Sequence, residues 1–310
     1  MAAPVVVLAV GLALAGCVAP NERVWIGLMP RTAARRLMHC LLISVGFSYL
    51  GLALLAAPAL VAPLPRSALA MACQRMLAGL EPAGLVGARL AAVLLLVSTC
   101  ATLARARRTR RDRAALRVEL PVGHHERRPG FDLVTLPGRT PVAYSLGGRR
   151  PQVVISQGLR DRVDEQGLAA VVAHEVAHLR AGHDRWFAGA SLLETALWFV
   201  PWVRPATATL RFSLERWADE QATGTVSRGA LRAAVLAAVD AAPLPSQTAA
   251  LSQAGALVQR LAMLAEPPPG HLGDAASTRY GRLTTIVGPA AVAGCGVVAA
   301  LSTLAHLCTF

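Results

Sequence analysis

The chain has 310 residues, 54% of them hydrophobic but only 5% aromatic, and carries a formal net charge of +13. A mean hydropathy of +0.47 on an Ala-, Val- and Leu-rich composition argues against a purely soluble protein and points to lipid-facing helices beside one domain of moderate size. All 31 basic residues are Arg, and their densest run follows an apolar segment. That places the charge in cytoplasmic loops and gives no reason to expect direct nucleic-acid binding. The six cysteines, Cys17, Cys40, Cys73, Cys100, Cys295 and Cys308, lie in or beside apolar stretches and form no CxxC pair. A cysteine zinc site or a disulfide framework is therefore not expected.

In chain order, four stretches are apolar enough to cross a bilayer, which takes about 20 residues each: 4–19, 37–61, 85–104 and 283–307. The first also contains Leu14-Ala15-Gly16-Cys17, which looks like a lipoprotein cleavage box, but no Arg precedes it as a signal peptide would require. The loop after the first stretch carries Arg23, Arg31, Arg35 and Arg36, and the loop after the second only Arg66 and Arg75. The third stretch is followed by Arg105, Arg107, Arg108, Arg110, Arg111 and Arg113. The positive-inside rule then puts residues 105–282 in the cytoplasm and both termini outside. The expected architecture is a mainly α multi-pass protein of the plasma membrane: three spans within 1–104, an inserted α+β domain at 105–282, and a last span within 283–310.

Inside the inserted domain, Phe131–Leu136, 141–146 and Gln152–Ser156 alternate as short strands, with a turn at Pro137-Gly138. A helix is expected over Glu165–Ala181, capped by Asp161 or Asp164, and further helices over 207–223 and 228–241. A fifth apolar stretch, 188–203, contains Glu194 and Pro201 and is flanked by tryptophans.

The expected helix over 165–181 carries His174-Glu175-Val176-Ala177-His178. Histidines four apart stand about 40° apart around a helix and converge on one ion. Zinc accepts neutral imidazole, and a glutamate beside the first ligand reaches a water on the same metal as general base. With this composition the pattern arises by chance in roughly one chain in 150, so more is needed. A catalytic zinc takes a third protein ligand and keeps an open position. His183 comes one residue too early for the HExxHxxGxxH spacing and is expected at the surface of the helix end, favoured by the helix dipole. Glu215 and Asp219, four apart on the next helix, are the better candidates. Glu215 is read as third ligand, and Asp219 as acceptor for the free ring nitrogen of a ligand histidine. If 188–203 crossed the membrane, His178 and Glu215 would face opposite sides. The stretch is therefore expected to be buried, re-entrant or interfacial.

The run Gln152–His183, followed by Trp198–Pro205 and Glu215-Arg216-Trp217-Ala218-Asp219, resembles the membrane metallopeptidases of the BlaR/MecR type. So does Arg260-Leu-Ala-Met-Leu with the prolines before the last span. The resemblance implies a gluzincin fold, with a small sheet beside the catalytic helix and one zinc per chain on His174, His178 and Glu215. It also implies that Tyr144 lies in an edge strand where substrate adds. In that family the cytoplasmic protease answers an outside signal and a transcriptional repressor is lost. The β-lactam sensors carry a penicillin-binding domain after the last span, which is not expected here because the sequence stops at Phe310. Heat-shock and CAAX-processing membrane proteases share the HExxH and ExxAD-type helices, so membrane-protein quality control or processing is the nearest competing function. A non-catalytic membrane signalling protein is the third, and Glu175 argues against it.

Overall fold

The computed structural model describes residues 7–9, 25, 27–61, 84–118, 123–239 and 257–265. Two helices come first, α1 (Pro30–Val61) and α2 (Gly84–Val118). Each contains a segment long and apolar enough to cross a membrane, Pro30–Ala59 and Val86–Ala115. Both extend past the cytoplasmic ends expected from hydropathy. Arg and Ala are strong helix formers, so α2 runs on through the Arg-rich segment instead of stopping with the apolar residues. Val86, Leu90, Val93, Leu96 and Val97 are exposed on α2 at helical spacing, the pattern of a face turned to lipid. The expected spans at 4–19 and 283–307 lie outside the described residues, apart from 7–9.

The sheet has the order β1-β2-β4-β3, built from β1 (His124–Arg128), β2 (Phe131–Leu136), β3 (Ala143–Leu146) and β4 (Gln152–Ser156). β2 and β4 run parallel, and β3 lies antiparallel to β4 at one edge. β3 starts later than expected because Pro141 has no N–H to give a ladder. Val142 instead bonds Ser156 through both its N–H and its carbonyl. β1 is fully exposed and has no apolar alternation, so nothing in its sequence marks it. It exists as a hairpin partner of β2 across the turn at Gly130.

After the short α3 (Gln157–Arg160) comes α4 (Glu165–Ala181), whose first turn is closed by Asp164 Oδ1 accepting the Gly167 N–H at 2.7 Å. Leu133, Val153 and Ile155 of the sheet pack on Ala170 and Val171 of this helix, together with Leu231 and Ala234 of α7 (Arg228–Val239). α4 ends at Gly182, whose φ of +64° turns the chain sharply into α5 (His183–Ala196).

α5 and α6 (Val203–Ala222) form a hairpin around a corner at 197–202. The hairpin lies along α1, with Leu37 and Leu41 packing on Ala190, Leu193, Leu210 and Leu214. Its corner residues Leu197, Val200 and Val203 bury against Val45 and Tyr49, well along the apolar part of α1. Tyr49 donates to Ser98 Oγ of α2 at 2.6 Å, and Ser98 donates in turn to the Ala196 carbonyl. The apolar stretch 188–203 therefore folds back instead of crossing, and His178 and Glu215 meet on one side. Glu194 inside it is paired with Arg211 at 2.5 Å and accepts from Thr207, so its charge is compensated within the hairpin. A short helix over 257–265, called α8, packs Leu264 into the sheet–α4 core.

Candidate metal centre and its surroundings

α4 and α6 lie side by side and present His174, His178 and Glu215 to one point. Their ligand atoms all lie within 4.8 Å of one another. His174 Nε2 and His178 Nε2 are 3.0 Å apart. Glu215 Oε2 is 3.4 Å from His174 Nε2, and Glu215 Oε1 is 3.6 Å from His178 Nε2. Two ring nitrogens and a carboxylate converging in a half-buried site form the His₂Glu donor set that suits zinc with a position left open. Unassisted, the same three groups would crowd two ring nitrogens together, so the arrangement fits a cation between them.

The opposite sides of the ligands are anchored. His174 Nδ1 lies 3.0 Å from Asp219 Oδ1, one helical turn beyond Glu215. Arg260, from α8, holds Asp219 with two bonds, Nε to Oδ2 at 2.9 Å and Nη2 to Oδ1 at 2.8 Å. Its Nη1 reaches Glu215 Oε2 at 3.0 Å. Burial alone would raise both carboxyls, but the bonds from His174 and the Arg260 charge outweigh it and hold Glu215 and Asp219 below the usual carboxylate range. Burial also opposes the charged form of His174, yet its bonds to Asp219 and Glu215 prevail and lift it to about 10. His178 lacks such a carboxylate bond, and burial pushes it down to about 4.

Glu175, the next residue on α4, faces a cavity of about 430 Å³ together with Tyr144, Val171, His174, Leu231 and Arg260. Burial raises its carboxyl, the neighbouring Glu215 adds to the effect, and His174, Ser145 and Arg260 pull the other way. A carboxyl shifted upward takes and returns a proton more readily near neutral pH. Tyr144 lies on edge strand β3 at the wall of the same cavity.

The structure thus brings together five of the six residues singled out in the sequence, His174, Glu175, His178, Glu215 and Asp219, and sets Tyr144 apart across the cavity. Two further residues were not anticipated in their places. His183 is not on the surface: it is fully buried and packs against Trp217, because the left-handed Gly182 folds α5 back under α4. Arg260 was noticed only as part of a resemblance. It is the one charged residue in the apolar run 254–265, and a lone charge in such a run calls for a buried partner.

Residues 105–253 match the family described as Peptidase family M48. That segment contains His174, Glu175, His178, Glu215 and Asp219, and stops short of Arg260. The chain is also similar to the plastoglobule-localized metallopeptidase 48 of Arabidopsis thaliana, a chloroplastic protein. Identity is 34% over 89 residues, or 28% of this chain and 26% of the relative. The chain therefore spans about a quarter of the length of the curated relative it matches. No solved structure matches. The family matched supports the metallopeptidase assignment and not its narrower BlaR/MecR form. Residues 105–253 thus resemble peptidase family M48, and the cluster of His174, His178 and Glu215 that could hold a metal lies inside the matched segment.

Proposed function

We propose that this chain is a membrane-anchored zinc metalloendopeptidase that cuts extended polypeptide at the cytoplasmic face. The observation that carries the proposal is the convergence of His174, His178 and Glu215 with Glu175 at the wall of one cleft. Zinc held by these three residues would supply Lewis-acid chemistry that acidifies a water and polarises a carbonyl. The chain's own groups do the rest. Glu175 takes the water proton on its carboxylate and returns it to the nitrogen of the departing amine. Asp219 and Arg260 keep His174 and Glu215 in place, so little reorganisation is required during the reaction. β3 pairs only with β4 among the described residues, and its other edge is available for a substrate strand to add beside the cleft. Tyr144 would then lie along the bound strand.

The membrane reading rests on the two apolar helices and on the hairpin corner seated along α1. Arg31 at the start of α1 stacks on Trp217, and Arg113 near the end of α2 pairs with Asp184. The Arg-rich ends of both helices therefore belong to the same side as the catalytic domain, the cytoplasmic side by the charge rule. Two substrates are in view. Cleavage of a cytoplasmic repressor rests on the BlaR/MecR resemblance. Processing or quality control of membrane proteins fits a catalytic hairpin packed along α1, a helix apolar enough to cross a membrane. We favour the second on that ground.

Glu175→Gln tests the proposal. The variant is expected to keep zinc and to lose about 10²–10⁴-fold of peptidase activity, the range for removing a general base. Comparing the membrane and soluble proteomes of cells carrying the wild type and the variant would reveal the substrate. Unchanged cleavage in the variant would overturn the role of Glu175, and accumulation of a soluble repressor alone would favour the regulatory reading.

A further inference from the structure

Both ligand histidines present Nε2 to the centre, so each ring must be anchored through Nδ1. For His174 the anchor is Asp219. For His178 it is another histidine: His183 Nδ1 lies 2.8 Å from His178 Nδ1. We infer that His183 is the positioning residue of the second ligand histidine, its Nδ1 lone pair accepting the His178 Nδ1 proton and so fixing the tautomer that leaves His178 Nε2 free for metal. The inference rests on His178 being a ligand.

Only one proton fits between two ring nitrogens at that distance. If His183 supplied it, His178 would carry its own proton on Nε2, aimed at the ligand cluster where a lone pair is needed. The metal-competent arrangement therefore has His178 donating and His183 accepting. His183 then holds its proton on Nε2, which is buried and has no hydrogen-bond partner among the described residues. An unpaired buried N–H is costly, and a phenyl or isobutyl group would fill the same space without that cost. Packing alone does not account for a histidine here; an acceptor at the Nδ1 position does.

The surroundings hold the ring in one orientation. Its centroid is 4.7 Å from that of Trp217, a residue of α6 that is itself buried. Arg31 of α1 lies over the far part of this stack, 5.5 Å from the Trp217 ring. His183 does not act as a fourth ligand, because its Nδ1 is engaged with His178 and its Nε2 has no hydrogen-bond partner among the described residues.

The acceptor's place gives a specific test. Asn puts Oδ1 where the histidine has Nδ1, Gln reaches one bond farther, and Phe fills the space with no acceptor. Zinc affinity of the full chain in detergent would be measured by chelator competition for the wild type and for His178→Ala, His183→Phe, His183→Asn and His183→Gln. His183→Phe and His183→Gln are expected to bind zinc about 10–100-fold more weakly, and His183→Asn to recover most of the loss. If His183→Phe does not fold, the Asn and Gln pair decides alone. Equal affinity of that pair, or wild-type affinity in His183→Phe, would overturn the inference. If His178→Ala binds zinc like the wild type, the ligand assignment itself fails, a result separate from any behaviour of the His183 variants.

Discussion

Asp219 joins three parts of the site, and Asp219→Ala should therefore have two separable effects. It removes the acceptor for His174 Nδ1 at 3.0 Å and the two-point partner of Arg260. Loss of the histidine anchor should weaken zinc binding about 10–100-fold. Loss of the Arg260 partner should destabilise the fold, because the Arg260 side chain is only 16% exposed and keeps one ion pair among the described residues, to Glu215. Breaking a buried pair from one side costs about 3–5 kcal/mol. The remaining Glu215 contact puts the expectation at the low end, about 3 kcal/mol. Asp219 has a folded-state pKa below its unfolded value, so its contribution is present above about pH 4 and is lost as pH falls through the folded value. The gap between wild type and variant should thus be full at pH 7 and narrow in acid. Denaturant unfolding of chelator-stripped protein reads the stability effect, and chelator competition reads the zinc effect. In the double variant Asp219→Ala/Arg260→Ala the stranded charge is gone, and part of the stability loss should return. A double variant no more stable than the single one, with unchanged zinc affinity in both, would refute the account of this network.

Zinc binding should release a proton from His174, which its carboxylate partners hold at about 10 in the metal-free protein. That raised value favours the folded metal-free chain below about pH 6.5 and loses its benefit as pH rises towards 10. Zinc affinity should correspondingly climb by up to about tenfold per pH unit over the same window, and an affinity independent of pH would contradict it. Gly182→Ala should cost about 1 kcal/mol of stability, since φ is +64° and nothing lies within 4 Å of an added Cβ. The cost is in the backbone, so thermal unfolding should show a smaller loss for Gly182→Asn, and no loss in either would contradict the turn's role.

The parts of this protein that announce themselves in sequence are those with a strong local code. α4 was expected over the residues it occupies, because its apolar period and a capping aspartate agree, and of the two candidates Asp164 is the cap. Glu215 and Asp219 could be found from their four-residue spacing once two histidines demanded a third ligand. The folding back of 188–203 followed from the same demand, not from its length and hydropathy, which leave a crossing possible. What stayed hidden depends on distant packing. β1 has no apolar code and is made by its partner. His183 looked like a helix-end surface residue because its burial is created by α5 turning under α4 onto Trp217. Arg260 comes from 41 residues beyond Asp219, and no local spacing links the two. The family match reaches peptidase family M48 and goes no further towards the BlaR/MecR type that the sequence resembles.

The central claim is a zinc ion held by His174, His178 and Glu215, and metal analysis of the full chain tests it most directly. Purified wild type should carry one zinc per chain, Glu175→Gln should keep it, and His174→Ala, His178→Ala and Glu215→Ala should each lose it at matched free zinc. Full zinc in any of the three ligand variants, or a wild type that takes up none, would contradict the account.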